Sequence, residues 1–192
     1  MDVNSADAEQ NIPGTRRVVT GIDADGKSVI LSDGTPPRSA VLEWAAGRKY
    51  IDLWHLSGPL RSPADGGDLD GYANLVAPPG GVHWRTVVLP PDAQLSQAPE
   101  DLAKLAAERD EKLPDWRDHF DPARPGMHCT QTVDFGIVLS GEVWLEVEKG
   151  EVHLKAGDCV VQRGTMHAWR NRGDVPCVMS FVLLTVGSGS AT

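Results

Sequence analysis

The chain has 192 residues, of which 41% are hydrophobic and 23% charged, which is ordinary for one soluble domain with a substantial core. Its formal charge of −9 argues against nucleic-acid and anionic-membrane partners, because affinity for phosphates comes largely from clustered lysine and arginine. Met1–Asn11 is polar, and no stretch reaches the roughly 20 apolar residues that span a bilayer. We therefore expect a cytoplasmic protein.

The first half of the chain is predicted to contain β-strands joined by turns and one long loop. Four strand-like runs are Arg16–Thr20, Lys27–Leu31, Tyr50–Leu56 and Val82–Leu89. Asp25-Gly26 between the first two is a strong hairpin signal. Residues 57–81 are rich in Pro, Gly and Asp and form a long connection, and such loops are often functional.

One helix is predicted after these strands. Pro99 suits the first turn of a helix, and the two acidic residues that follow it are favourable near the positive end of the helix dipole. Leu102 and Leu105 recur at helical spacing, and Pro114 limits the extent of the helix.

The last third of the chain predicts an antiparallel barrel or sandwich. Val143, Leu145 and Val147 alternate with polar residues, which is typical of a half-buried strand. The other strands predicted here are Val152–Leu154, Cys159–Gln162, Met166–Arg170 and Pro176–Val186. We expect four parts along the chain: a flexible N-terminus (1–14), N-terminal strands, loop and helix packed on the barrel (15–124), the barrel core (125–186), and a flexible tail (187–192).

Two segments, 125–141 and 157–171, carry a recognisable set of motif residues. These are His128, Asp134 and Gly141 in the first segment and Gly157, Gly164, His167 and Asn171 in the second. Together they resemble the two signature motifs of the cupin superfamily. The resemblance implies an all-β, antiparallel jelly-roll barrel with an N-terminal β extension and one short helix. It also implies a homodimer.

The first motif departs from the usual cupin pattern at two places. Thr130 stands where the family usually has a second histidine, and Asp134 replaces a glutamate. The resemblance therefore implies a reduced metal site of His128, Asp134 and His167. Six residues of straight strand span roughly 20 Å, so a turn between His128 and Asp134 is needed to bring them to one ion.

Two imidazoles and one carboxylate with open positions suit non-haem Fe(II), although Mn(II), Ni(II) and Zn(II) remain alternatives for this ligand set. Three further side chains are candidates for the reaction itself. Thr130 offers an oxygen beside the predicted ligands, and Gln131 is the nearest amide. His83, or alternatively His55, is a candidate proton donor or acceptor, with a structural hydrogen-bonded role as the other interpretation of both.

Three functional hypotheses follow from the resemblance. The first is a metal-dependent, dioxygenase-like oxidoreductase acting on a small organic molecule, for which the six tryptophans suggest an aromatic or polyketide-like substrate. The second is a lyase, in which the metal acts as a Lewis acid. The third is a cupin that only binds a small molecule, which the missing second histidine favours.

Overall fold

The computed structural model describes residues 15–67, 69 and 72–186, and within them the fold is mainly β. The predicted flexibility of residues 1–14 and 187–192 concerns segments outside the described residues. The strands are β1 (Arg17–Ile22), β2 (Ser28–Gly34), β3 (Arg38–Leu42), β4 (Arg48–Leu56), β5 (Val82–Leu89), β6 (Thr132–Ser140), β7 (Glu142–Val147), β8 (Gly150–Lys155), β9 (Cys159–Arg163), β10 (His167–Arg170) and β11 (Cys177–Thr185). The helices are α1 (Pro99–Lys112) and α2 (Trp116–His119), with short 3-10 helices at Glu43–Ala45 and Asp92–Gln94.

The first two strands form the predicted hairpin and belong to a compact unit that ends at Pro36. β1 and β2 pair antiparallel. The turn is closed by the carboxylate of Asp23, which accepts the backbone N–H groups of Asp25 and Lys27 at 2.9 and 2.8 Å. Gly26 has a φ of 75°, which a residue without Cβ adopts at little cost.

The second unit begins at Pro37 and contains two antiparallel sheets. Six strands pair in the order β3-β4-β5-β11-β6-β9, and three in the order β10-β7-β8. Residues of both sheets share one core, because Val143 and Leu145 of β7 pack in the same cluster as Met179 of β11. The central pairing of β5 with β11 joins strands from both halves of the chain. This arrangement is the expected jelly roll.

Alternation along β11 explains how the core is built. Cys177, Met179, Phe181 and Leu183 are buried, whereas the residues between them are more exposed. Burial of each large apolar side chain contributes about 1.5–3 kcal/mol, so this period-2 pattern fixes which face of the sheet is internal.

Helix α1 has the predicted start at Pro99 and is attached to the sheet by side chains near its C-terminal end. The carboxylate of Glu108 accepts the backbone N–H groups of Glu43 and Trp44 at 2.9 and 3.1 Å. The ammonium group of Lys112 donates to the backbone oxygen of Val41 at 2.6 Å. Neither helix in the described residues is long and apolar enough to cross a membrane.

Three elements were not predicted from the sequence. Helix α2 is a single turn whose residues show no helical periodicity. The sequence predicted one helix, and the described residues form two. Strand β3 is short. Strand β6 runs through the first motif, and its usual alternation is reversed: Thr132 and Asp134 are buried, whereas the outward side chains include Phe135, Ile137 and Leu139.

Candidate functional site

The second unit contains a cavity of about 370 Å³ inside the jelly roll. Its wall is formed largely by apolar and aromatic side chains from the strands, and helix α1 contributes Leu102, Leu105 and Arg109. Four of the six predicted site residues line it: His128, Thr130, Asp134 and His167. A cavity of this size and lining is typical of a site for a small organic molecule.

His128 and His167 lie side by side at one part of the cavity wall. Their backbones exchange two hydrogen bonds, from His128 N–H to His167 O at 2.8 Å and from His167 N–H to His128 O at 2.9 Å. The two ring centroids are 4.1 Å apart. The first and second cupin-like motifs are thus linked by backbone hydrogen bonds between their histidines.

Both imidazoles are held in the same tautomer. Nδ1 of His128 donates to the backbone oxygen of Gly126 at 3.0 Å, and Nδ1 of His167 donates to that of Thr165 at 2.9 Å. Each Nε2 therefore carries the lone pair that a metal needs. Burial, and next the neighbouring His167, lowers the pKa of His128 to about 3, and burial also lowers the pKa of His167. Neutral imidazoles of this kind fit a divalent metal ion.

Asp134 lies on β6 and is 6% exposed. Its Oδ1 is buried and has no hydrogen-bond partner. Burial raises the pKa of this carboxyl to about 6, and a hydrogen bond with Thr132 acts in the opposite direction. A buried carboxylate oxygen without a donor is unfavourable, so a cation or a donor group of a ligand at this place would be stabilising.

Asp134 does not complete a three-residue ligand set with the two histidines. Among residues 15–67, 69 and 72–186, no three His, Cys, Asp or Glu side chains are placed to hold one ion together. The structure thus brings His128 and His167 together and leaves Asp134 elsewhere on the wall of the same cavity. Its role as a metal ligand stays a prediction.

Comparisons with known proteins agree with the motif analysis. A family model described as a cupin domain matches residues 118–186. The cupin-domain-containing oxidoreductase virC of Hypocrea virens is 40% identical over 181 residues, which cover 90% of this chain and 78% of that protein. The chain belongs to the cupin family.

Other relatives of this cupin match over shorter stretches or more distantly. Oryzines biosynthesis cluster protein J of Aspergillus oryzae is 56% identical over 55 residues, which are 28% of this chain and only 31% of that protein. Among solved structures, a Cupin 2 conserved barrel domain protein from Salinispora arenicola has a TM-score of 0.38 at 15% identity, covering 72% of this chain and 76% of that one.

The remaining predicted site residues of this cupin differ in whether they line the cavity. Thr130 is 5% exposed, lines the cavity, and shares a 2.7 Å hydrogen bond with the hydroxyl of Thr132. Gln131 is exposed and does not line the cavity. His83 is fully buried and also lies outside the cavity wall. The geometry therefore brings Thr130 to the site and leaves Gln131 and His83 away from it.

His83 instead belongs to a buried ionic cluster behind the cavity. Its Nε2 donates to Asp52 at 2.9 Å, and Arg85 donates to the same carboxylate oxygen at 2.8 and 3.1 Å. Arg38 bonds the second carboxylate oxygen. Burial would raise the pKa of Asp52, but these positive neighbours hold it below its usual range. Burial, and next the charge of Arg85, lowers the pKa of His83 to about 4.

A continuous stack of rings leads from α1 to the histidine pair, and we call it the ring stack. Trp116 stacks on Phe120 at 3.5 Å between ring centroids, and Phe120 stacks on His128 at 4.4 Å. At the other end, the guanidinium carbon of Arg109 lies 4.6 Å from the centre of the Trp116 ring. The stack holds the plane of the His128 imidazole nearly parallel to that of Phe120.

Sequence analysis missed the arginines of the cavity wall: Arg48, Arg85, Arg109 and Arg170. An isolated arginine in a sequence is normally interpreted as a surface charge. One signal was available for Arg85, because it lies two residues after His83 and therefore on the same face of β5.

Proposed function

We propose that this cupin is a metal-dependent oxidoreductase that acts on a small organic molecule bound in the cavity. The observation that carries the proposal is the histidine pair: two neutral imidazoles with Nδ1 bound to backbone and Nε2 left for a ligand. Two relatives that are cupin-domain-containing oxidoreductases, virC and srdB, match most of the chain and support the reaction class.

His128 and His167 would hold the metal, with Asp134 as the carboxylate of the set. A bound Fe(II) would supply redox chemistry with O₂, and Fe(II) is our choice over Mn(II), Ni(II) or Zn(II) because two imidazoles, a carboxylate and open positions suit it. The protein's own contribution is to bind and orient the substrate against an apolar wall and to exclude water from it. Trp169 and Phe181, whose ring centroids lie 5.4 Å apart in that wall, form a shared aromatic surface against which a flat or aromatic substrate could pack.

Metal content tests this proposal directly. Protein purified anaerobically and loaded with Fe(II) is expected to hold about one ion per chain by elemental analysis, and His128→Ala and His167→Ala are expected to lose it. His153→Ala is the matched control, because His153 is outside the cavity wall and pairs with Glu142 at 2.9 Å. Full metal occupancy in either of the first two variants would refute the assignment.

Asp134→Asn tests the third ligand separately. If the carboxylate binds the metal, the metal affinity of this variant is expected to fall at least tenfold. Even carboxylates that only hydrogen-bond to a metal ligand contribute that much at similar sites. Affinity equal to that of the wild type would reduce the ligand set to the two histidines. Turnover that persists without O₂ would assign the site to a lyase instead.

A second candidate function is small-molecule binding without catalysis. It is favoured by the separation of Asp134 from the histidine pair, which leaves no three-residue ligand set among the described residues. Thermal unfolding with and without Fe(II), Mn(II) or Zn(II) separates the two functions, since a ligand of the native state must raise its stability. An unchanged Tm with all three metals would favour the binding protein.

We also propose that the protein is a cytoplasmic homodimer. The free thiols of Cys129, Cys159 and Cys177 suit a reducing compartment. Phe135 and its cross-strand partner Val161 are 51% and 58% exposed on the outer face of the larger sheet, and a second copy would bury them. Sedimentation velocity of the wild type and of Phe135→Glu tests this, and a wild-type monomer would refute it.

A further inference from the structure

Two arginines of the cavity wall have no acidic partner among the described residues. Arg48 is the first residue of β4, and Arg109 lies on α1. The Nε atom of each is buried and makes no hydrogen bond. The other two arginines of the wall differ, because Arg85 and Arg170 are each paired with a carboxylate at 2.8 and 2.7 Å. A buried guanidinium N–H without a hydrogen-bond acceptor is unfavourable unless a ligand supplies one.

The two arginines line the same cavity as His128 and His167. Arg109 stands at one end of the ring stack, whose other end is the histidine pair. A ligand held by the arginines would therefore extend along aromatic surface towards His128.

Two acidic residues line the cavity, Asp92 and Asp134, and neither forms an ion pair with Arg48 or Arg109 among the described residues. Burial raises the pKa of the Asp92 carboxyl, although the charge of Arg48 opposes this. The positive charge of the two guanidinium groups is thus only partly balanced by the protein.

We propose that Arg48 and Arg109 bind the carboxylate of an apolar organic acid, whose carbon skeleton lies along the ring stack towards His128 and His167. The proposal rests on the function proposed above for the use of the cavity and deepens it by naming the substrate class. Guanidinium groups match the planar geometry of a carboxylate, and an apolar cavity of about 370 Å³ accommodates the rest of a small acid.

Binding of matched probes tests the proposal without any assay of turnover. The full-length protein is titrated by calorimetry with 4-phenylbutanoate, with its neutral amide, and with phenylpropyl phosphate. We expect the carboxylate to bind at least tenfold more tightly than the amide, because only the acid supplies the missing counter-ion. Equal affinity of acid and amide overturns the proposal, and so does a clear preference for the phosphate ester.

Substitution of the arginines locates the binding. Arg48→Gln and Arg109→Gln are each expected to weaken 4-phenylbutanoate at least tenfold and to leave the affinity of the amide within about twofold. The matched control is Arg117→Gln, since Arg117 pairs with Asp110 on the surface and does not line the cavity. Wild-type affinity for the acid in both cavity variants overturns the proposal.

Stability separates a binding role from a structural one. Because Arg48 forms no ion pair among the described residues, Arg48→Gln is expected to unfold at the same temperature as the wild type or higher. Arg109→Gln is expected to lose no more stability than its contact with the Trp116 ring contributes. A clear fall in Tm for both would assign the arginines to the fold and overturn the proposal.

Repeating the titration after treatment with a chelator separates this inference from the proposed metal function. Carboxylate binding that survives chelation and depends on the two arginines supports the inference even if the histidine pair binds no metal. Binding that disappears on chelation and ignores the arginine substitutions places the acid on the metal and overturns the inference.

Discussion

Replacement of Asp52 by asparagine is expected to cause a large loss of stability. The carboxylate is fully buried and accepts hydrogen bonds from His83, Arg85 and Arg38. Arg85 itself is only 2% exposed, and without Asp52 its remaining bonds go to the backbone oxygens of Leu75 and Asn74. Breaking a buried ion pair by removing one partner costs about 3–5 kcal/mol, because the other charge stays buried and uncompensated.

The assay is urea unfolding followed by tryptophan fluorescence, with thermal unfolding as a second measurement. For a chain of this size, each kcal/mol corresponds to roughly 2–4 °C, so the Tm of Asp52→Asn is expected to fall by about 10 °C. The matched control is Asp110→Asn, because Asp110 pairs with Arg117 on the surface and its loss should cost less than about 0.5 kcal/mol.

A double variant tests the physical reason as well as the magnitude. Asp52→Asn combined with Arg85→Met removes both buried charges, and we expect it to be more stable than Asp52→Asn alone. The reasoning is wrong if the free energy of unfolding of Asp52→Asn is within 1 kcal/mol of the wild type, or if the double variant is less stable than Asp52→Asn.

Three other predictions concern pH, the motif glycine and the ring stack. The pKa of buried His83 is about 4 rather than 6.5, so the unfolded chain binds more protons between these values. The contribution of neutral His83 to the free energy of unfolding is therefore complete above about pH 6.5. It is lost as pH falls towards 4, by on the order of 3 kcal/mol, and urea unfolding at successive pH values measures this loss. Gly141→Ala should cost about 1–3 kcal/mol in the same assay, because φ is +73° and the new Cβ would lie 2.7 Å from the backbone oxygen of Pro176. Phe120→Ala interrupts the ring stack and should cost about 2 kcal/mol, with a changed near-ultraviolet circular dichroism spectrum.

Each of these predictions has a control. His153→Gln should keep the wild-type dependence of stability on pH, whereas His83→Gln should make it less steep, with the remainder due to His128 and His167, whose pKa values burial also lowers. Equal slopes in all three proteins would contradict the assignment to His83. Gly157→Ala also has a positive φ but meets no atom within 4 Å, so it should cost less than Gly141→Ala. For the ring stack, Phe120→Leu should retain more stability than Phe120→Ala, and a wild-type spectrum in both would contradict the role of the ring.

The sequence was sufficient to predict the fold class and the pairing of the two motif histidines. Period-2 alternation in β7 depends only on local pattern, so it is visible in the residues themselves, whereas β11 is almost wholly apolar and only the structure shows which of its faces is internal. The carbonyl groups that hold the imidazoles were not predictable, because they belong to backbone conformation at Gly126 and Thr165.

Other features of the site depend on contacts between distant parts of the chain. Arg48 and Arg109 lie sixty-one positions apart in the numbering and line the same cavity because α1 packs on the segment that precedes β4, through the bonds of Glu108 to Glu43 and Trp44. Asp52 and His83 were likewise on separate predicted strands whose register the sequence did not reveal, and pairing of β4 with β5 decides that they meet.

The reciprocal backbone hydrogen bonds between His128 and His167 have a consequence for protein engineering. Main-chain bonds, rather than the side chains, set the spacing of these two positions, so the spacing should survive replacement of either ring. Other metal-binding side chains could therefore be introduced at these two positions, in any combination of histidine, cysteine and aspartate. Selectivity for one metal over another could then be altered while the scaffold is left as it is.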